Sequence, residues 1–422
     1  MPEGFYFLMG AQFASGLADN ALMILGIYFL QEQGYPGWWA PLLKFSFNLA
    51  YVLLASVVGP IADAVSKSAL MAWMNVLKLV GVLLLVSGVH PMVAFAMTGL
   101  AAAVYAPAKY GLVTESVPSS GLVKANAWLE VSVVMSVLLG IALGGWLTGG
   151  PVTGFFRSIC DGLTGPLSER LTDWLRSWWV STELMGAFSV VMLVYGVSAL
   201  LNAGVRKMGQ TGIRRPVTWR CVQWDAFWQS NRRLWADPLG GVSLYVTTLY
   251  WGVGAVLQFA VLAWAQGSMA MSLQQGALLQ ALVALGVVCG AVLAARTYRV
   301  FNARRALPWG VLLAVLMPLM AITAHLWLAI PLLIVAGIAG GLLLVPMNAL
   351  LQHRGFKILT AGRSIAVQGF NENLSVVLML AAYSALLAGS VSLFWIMALL
   401  STLLLACMLP LCVRWYPGLR CA

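Results

Sequence analysis

Three acidic side chains stand inside long apolar runs of the chain, where a charge is costly to keep. These carboxylates and their amide neighbours are Asp19 with Asn20 in the first run, Glu130 near the start of the fifth, and Glu372 between Asn371 and Asn373 in the eleventh. A charged side chain at the centre of a bilayer costs at least about 2.5–3.5 kcal/mol, so such residues are functional candidates. We predict that this set lines a central cavity. A helix-packing hydrogen bond is the alternative for Asp19, and a structural ion pair near a helix end is the alternative for Glu130 and Glu372.

Two lysines and three glutamines add further polar groups to the same apolar runs. Lys78 stands within the third run, and Lys109 stands at the end of the fourth, between Pro107 and Gly111. The glutamines are Gln12, Gln258 and Gln368. Lys109 can face the cavity or anchor its helix at the membrane surface. Lys78 can extend to the surface along its alkyl chain or neutralise a nearby carboxylate.

A second kind of chemistry is indicated after the second apolar run. The segment Gly59-x-x-x-Asp63-x-x-x-Lys67 places a carboxylate and an ammonium group one helical turn apart in a tight loop. Such a pair can hold two helices together in one conformation and release them in another. Asp63 and Lys67 are therefore predicted to form a conformational switch.

The elements that position these residues are membrane-spanning helices. The chain has 422 residues, of which 61% are hydrophobic and only 9% charged, too few to cover a soluble protein of this size. A span requires about 20 apolar residues, and the runs lack the alternation of barrel strands. The predicted spans are 5–30, 41–62, 69–89, 91–110, 125–149, 184–204, 239–264, 275–295, 307–325, 327–349, 364–388 and 391–413.

The basic residues fall in every second gap between these runs, which fixes an orientation. On one side lie Lys67, Lys109, Lys124, Arg206, Lys207, Arg214, Arg215, Arg220, Arg232, Arg233, Arg296, Arg299, Arg304, Arg305, Arg354, Lys357, Arg363, Arg414 and Arg420, and on the other lie Arg157, Arg170 and Arg176. Short loops rich in Lys and Arg stay in the cytoplasm, so both termini are expected there. This bias and attraction to anionic headgroups explain the net charge of +11, which is no evidence for nucleic acid.

The spans divide into two sets of six. Residues 1–204 form the first half, 205–238 a basic cytoplasmic linker, and 239–422 the second half, a plan typical of transporters built from repeats. The first half carries a long outer loop at 150–183, predicted to lie at the membrane interface or to be a tolerated insertion. In the linker, Trp224, Phe227 and Trp228 have helical spacing and predict an amphipathic helix at headgroup level.

No pattern in the sequence indicates catalysis, a cofactor or a metal. The six cysteines are scattered without a CxxC spacing, so neither a disulfide framework nor a metal site is expected. A membrane-embedded acyltransferase is the hypothesis from a different class. It needs a base, yet His90, His325 and His353 have no aspartate at the expected spacing, so no catalytic residue is assigned.

Several segments resemble known families. The Asp63 loop resembles the signature of the major facilitator superfamily, with Ser66 and Ser68 in place of a glycine and a basic residue. Five further segments, in this order, are Gln12 to Leu22, Tyr105 to Gly111, Leu122 to Asn126, Val345 to Gly355, and Ile365 to Asn373. Together they resemble the bacterial lysophospholipid transporter family over nearly the whole chain.

The resemblance implies a function. Such a protein would move lysophosphatidylethanolamine and lysophosphatidylglycerol from the outer to the inner leaflet of the inner membrane, where an acyltransferase and acyl-carrier-protein synthetase restores the second chain. It implies a headgroup site made by Asp19, Asn20, Lys109, Glu130 and Glu372, to which we add Gln258 and Asn371. The family places an arginine where Gln258 stands, so either Lys78 or Lys109 takes over its phosphate contact or the headgroup preference differs. A proton-coupled exporter of drugs or other amphipathic molecules is the alternative within the superfamily.

Overall fold

The computed structural model describes residues 4–36, 38–118, 121–149, 182–205, 224–271, 273–323 and 325–415. Before the linker these ranges contain α1 (Gly4–Glu32), α2 (Trp39–Leu53), α3 (Ala55–Ala64), α4 (Lys67–Val86), α5 (Pro91–Ser116), α6 (Leu122–Leu147) and α7 (Thr182–Gly204). After it come α8 (Trp224–Ala236), α9 (Pro238–Ser268), α10 (Leu273–Thr297), a 3-10 helix (Val300–Ala306), α11 (Pro308–Ile322), α12 (Leu326–Ile358), α13 (Ala361–Ala388) and α14 (Leu393–Trp415). The predictions for the 150–183 loop and for residues 206–223 of the linker fall almost wholly outside these ranges.

The prediction of an all-helical, twelve-span fold is confirmed. Eleven helices in the described ranges are long and apolar enough to cross a bilayer, and α2 with α3 makes a twelfth if the bent pair is one span. Each of the twelve predicted spans overlaps one of them. Helices α5 and α12 continue beyond their predicted ends, to Ser116 and Ile358. Their last turns carry polar residues, so the hydropathy falls before the helix ends.

The second span was predicted as one helix over 41–62, and this was wrong in detail. The chain breaks at Leu54, where α2 and α3 meet with a bend of 64°. Pro60, inside α3, has no backbone N–H, so the Ser56 carbonyl near the start of α3 lacks its helical partner. The bend brings Gly59 against α13, where an added Cβ would lie 3.1 Å from the Cα atom of Arg363.

Two helix groups, α1–α7 and α9–α14, form the two halves. Between them, α13 packs against α2, α3 and α5, and α6 packs against α10 and α12. We call the membrane side that holds the α3–α4 and α12–α13 connections the basic face, because Lys67, Lys357 and Arg363 lie there. The other side, with the α1–α2 connection, is called the opposite face.

The linker contributes one described helix, as its aromatic spacing predicted. Helix α8 buries Phe227 and Leu234 against α3, α12 and α13, while Trp224 and Trp228 stay exposed. An amphipathic helix with exposed tryptophans at the end of membrane helices is typical of the headgroup region. Helix α8 therefore rests on the second half at the basic face and reaches α3 of the first.

Within the second half, α10 and α12 approach each other through glycines. Gly286 and Gly290 of α10 face Ile334 and Ile338 of α12, and Gly337 of α12 faces Val283 of α10, with carbonyl oxygens where a Cβ would stand. Small residues one turn apart let two membrane helices pack backbone to backbone. This interface leaves no room for side chains on either helix at these positions.

We expect Gly290→Ala to destabilise the protein by about 1–3 kcal/mol, because the new methyl group overlaps the Ile338 carbonyl oxygen and α10 must move. The thermal unfolding midpoint of the detergent-purified protein measures the effect. Gly196→Ala in α7 is the matched control, since nothing lies within 4 Å of its added Cβ. Equal midpoints for the two variants would contradict the close packing of α10 on α12.

Candidate functional site

A cavity of about 550 Å³ lies between the halves, walled mainly by apolar side chains of α1–α3, α5, α6 and α9–α13. Its acidic, basic and amide lining residues are Gln12, Asp19, Asn20, Lys44, Asn48, Lys109, Glu130, Gln258, Gln280, Gln368, Glu372 and Asn373. Of the predicted binding residues, all but Asn371 are in this list. The structure therefore brings together predicted binding residues that are up to 353 positions apart in the chain, from Asp19 to Glu372.

Asp19 is the best-connected acid of the cavity. Its carboxylate accepts from the Lys78 ammonium group at 2.6 and 2.8 Å and from the Tyr195 hydroxyl at 2.6 Å. Lys78 also donates to Ser15 at 2.9 Å and is 2% exposed, whereas the Asp19 side chain keeps 22% of its surface exposed at the cavity. Lys78 therefore neutralises a nearby carboxylate and does not extend to the membrane surface. Asn20, beside it, donates to the Gly16 carbonyl oxygen at 2.8 Å.

Lys109 and Glu130 form a second charged group on the wall of the first half. The Lys109 ammonium donates to the Gln12 side-chain oxygen at 2.8 Å and lies 4.2 Å from the centre of the Tyr110 ring. Glu130 interacts with it electrostatically, and both side chains are at least 94% buried. Pro107, two residues before Lys109, removes one backbone N–H donor from α5 beside this group. Lys109 therefore faces the cavity.

Glu372 is the acid of the second half. It accepts from the Gln368 amide at 2.8 Å, one turn earlier in α13, and Gln368 also donates to Asn348 of α12 at 3.0 Å. The amide thus ties α13 to α12 and fixes the carboxylate toward the cavity. Neutral donors stabilise the charge of Glu372 without neutralising it.

Asn371 lies on another face of α13, which corrects its assignment as a binding residue. Its amide donates to Asn231 at 2.8 Å and accepts from the Trp235 indole at 3.1 Å, both on α8. Adjacent helix positions are turned by about 100° from each other, and here that turn directs Asn371 to α8 while Glu372 faces the cavity. Asn371 anchors the linker helix.

Lys44 is a cavity residue that the sequence reasoning missed. It lies on α2, and its ammonium group hydrogen bonds the side-chain oxygen of Gln258 on α9, across the two halves. The backbone oxygen of Gln258 in turn accepts from Gln280 of α10. The signal was available, because a lysine inside an apolar run is as unusual here as it is at Lys78.

The predicted switch residues do not pair with each other. Asp63 accepts from the Thr360 hydroxyl at 2.6 Å and the Gly362 backbone N–H at 3.0 Å, at the start of α13. Lys67 instead forms a salt bridge with Glu115 at the end of α5, at 2.9 Å. A carboxylate at a helix start is favoured by the free N–H groups and the helix dipole. Asp63 thus joins the halves, and Lys67 holds the first half together.

A pair of buried amides makes another contact between the halves toward the basic face. Asn126 of α6 and Gln352 of α12 each donate to the other's side-chain oxygen at 2.8 Å. Both residues are buried. Together with the Asp63 contacts, this pair joins the two halves between the cavity and the basic face.

The fold and the cavity define a polytopic membrane transporter. The family model of the Major Facilitator Superfamily matches residues 8–378. Lysophospholipid transporter LplT of Yersinia pestis (strain Pestoides F) is 35% identical over 378 residues, covering 89% of this chain and 84% of that protein. The same protein of Yersinia pseudotuberculosis serotype O:3 (strain YPIII) is equally similar.

Solved structures agree on the fold. The transporter FucP in the outward conformation has a TM-score of 0.67 at 14% identity, covering 96% of this chain and 97% of that one. A bacterial homologue of the iron transporter ferroportin in an outward-facing state has a TM-score of 0.66 at 13% identity, covering 98% and 100%. The chain belongs to the Major Facilitator Superfamily, and its resemblance to the lysophospholipid transporter family is confirmed. Because its relatives are transporters of a non-enzymatic superfamily, it is not an enzyme.

We expect Lys78→Met to destabilise the protein by about 3–5 kcal/mol, because it leaves the Asp19 carboxylate without its counter-charge in an apolar surrounding. The double variant Asp19→Asn with Lys78→Met removes both charges and is expected to recover most of the loss. Unfolding midpoints in detergent measure both. Additive losses in the double variant would show that the two charges do not stabilise each other.

Gly362→Ala is expected to loosen the basic-face contact, because the added Cβ would lie 2.5 Å from the Asp63 oxygen and displace it. Opening can be followed by the alkylation rate of Val58→Cys, at the cavity wall of α3, in a background without the native cysteines. A membrane-impermeant maleimide added from the basic face should react faster with the variant. Gly389→Ala, at the other end of α13, is the control, and equal rates in both would exclude a closing role for Asp63.

Proposed function

We propose that this protein moves lysophospholipids, lysophosphatidylethanolamine and lysophosphatidylglycerol, from the outer to the inner leaflet of a bacterial inner membrane. The observation that carries the proposal is a mostly apolar cavity with a few charges of both signs, in a chain 35% identical to proteins named lysophospholipid transporters. Asp19, Asn20, Lys109, Glu130, Gln258 and Glu372 are the proposed headgroup-side residues.

The chemistry of the substrate fits this cavity. A lysophospholipid has one acyl chain and a headgroup with a phosphate, and in the ethanolamine lipid also an ammonium group. Apolar lining accepts the chain, and a small number of placed polar groups fixes the head. Glu130 and Glu372 suit the ammonium group, while Lys109 and Lys44 suit the phosphate. A volume of about 550 Å³ is within the range of small-molecule sites.

Alternating access is the proposed mechanism. The contacts of Asp63 with α13 and of Asn126 with Gln352 hold the two halves together at the basic face. We assign that face to the cytoplasm, with both termini, because short loops rich in Lys and Arg remain there. Rocking of the halves about the cavity then breaks these contacts and exposes the site to the inner leaflet.

The lipid delivered by this transport indicates which partner protein would act on it next. A lysophospholipid delivered to the inner leaflet needs a second acyl chain, so an acyltransferase with its acyl-carrier-protein synthetase activity is the proposed cytoplasmic partner. Helix α8, with Arg232 and Arg233, lies on that face. No nucleic acid is required by this function.

A proton-coupled exporter of cationic amphipathic molecules is the second candidate. It is favoured by Glu130 and Glu372, two carboxylates at the cavity wall. Unchanged drug susceptibility of a deletion strain would exclude it, whereas the lipid proposal makes no prediction of resistance.

Uptake of labelled lysophosphatidylethanolamine by spheroplasts tests the proposal. Wild-type protein should restore uptake to a deletion strain, and Asp19→Ala and Asp19→Asn should lower it by about tenfold to a hundredfold, as expected for loss of a charge-assisted contact of about 1.5–3 kcal/mol. Asp225→Asn, an exposed carboxylate on α8, is the control. Wild-type rates in both Asp19 variants would remove Asp19 from the mechanism, and no uptake by the wild type would overturn the function.

A further inference from the structure

One cation of the cavity has no opposite charge beside it among the residues that the structure describes. Lys78 is paired with Asp19, and Lys109 interacts with Glu130. Lys44 contacts a neutral amide, and none of the salt bridges in the described ranges includes it. An amide oxygen stabilises an ammonium group but cannot neutralise it. Lys44 therefore brings a net positive charge to the cavity wall.

The surroundings of Lys44 favour an anion at this point. The ammonium group is partly buried, and Val261 and Met320 belong to the same apolar lining. Attraction between charges is stronger in such a place than in water, because the local dielectric constant is lower. The partner amide is itself held in place, since the backbone oxygen of Gln258 accepts from Gln280.

We propose that Lys44 binds the phosphate of the transported lipid and that Gln258 positions the ammonium group for this contact. This assignment rests on the proposed function, because it names a contact within the same site. A phosphate oxygen replaces the Gln258 oxygen as acceptor, and the amide nitrogen of Gln258 becomes a donor to a second phosphate oxygen. The ammonium group makes a charge-assisted bond with either acceptor, but only the phosphate also carries an opposite charge, and the attraction between the two charges favours the exchange in this apolar surrounding.

The contact also links binding to movement. Lys44 belongs to the first half and Gln258 to the second, so their hydrogen bond holds the halves together. When phosphate takes the place of the Gln258 oxygen, the direct bond between the halves is replaced by one through the substrate. The two halves then close on a loaded site through the lipid headgroup.

The test compares two lipids with the same acyl chain, lysophosphatidylethanolamine and a monoacylglycerol, which lacks the phosphate. Lys44→Gln should weaken binding of the phosphate lipid to the purified full-length protein by about tenfold to a hundredfold and leave monoacylglycerol binding unchanged. The double variant Lys44→Gln with Gln258→Arg moves the cation to the facing helix and should restore binding and uptake. Lys357→Gln, an exposed lysine at the basic face, is the control.

Three results would overturn the assignment: wild-type binding by Lys44→Gln, equal losses for both lipids, or no recovery in a folded double variant. Inorganic phosphate that binds the wild type without lipid, with the same dependence on Lys44, would assign the site to a free anion instead. Each of these leaves the proposed function standing as long as the wild type takes up lysophosphatidylethanolamine. Absence of that uptake would overturn the function and with it this assignment.

Discussion

The compensation of charge inside the bilayer is the constraint on which the rest of the structure depends. Three carboxylates and three ammonium groups lie in or beside the cavity: Asp19, Glu130, Glu372, Lys44, Lys78 and Lys109. An uncompensated charge is strongly unfavourable in an apolar surrounding, so each must find a partner on another helix or face a polar space. The charged residues and the side chains that they contact lie on α1, α2, α4, α5, α6, α7, α9 and α13. The same bonds therefore assemble the helices and define the cavity.

The charges are compensated to different degrees. The Asp19 and Lys78 pair is complete within the first half, with Tyr195 as a further donor. Glu372 and Lys44 instead contact neutral amides and face the cavity. A complete pair gains little from an incoming charged group, whereas an amide partner can be exchanged for one. Asp19 therefore meets a substrate as part of an intact pair, through the part of its carboxylate that is exposed at the cavity, whereas Glu372 and Lys44 can exchange their amide partners for the charges of the substrate.

Much of this arrangement could be predicted from the sequence, and the part that could not has clear physical causes. Hydropathy and basic loops predict the spans, because the bilayer imposes length and polarity on each helix. A charge in an apolar run marks Asp19, Lys78 and Glu372 for the same reason. Which neighbour completes the pair depends on how distant helices pack, so the separate partners of Asp63 and Lys67 were not predictable from their spacing. Asn371 shows the same limit, because it is next to Glu372 in the sequence, yet its side chain contacts α8 and not the cavity.

Helix α13 has contacts in several directions over a short stretch. Its start holds the Asp63 carboxylate, Gln368 and Glu372 face the cavity, and Asn371 holds α8. Inserting one residue after Gly362 would rotate the later positions by about 100° relative to the helix start, and would misdirect the cavity and linker contacts together. Length variation should therefore be absent between Thr360 and Glu372 in functional variants, while the connections at the opposite face remain free to lengthen. The register of this helix is a stricter requirement than the identity of most of its side chains.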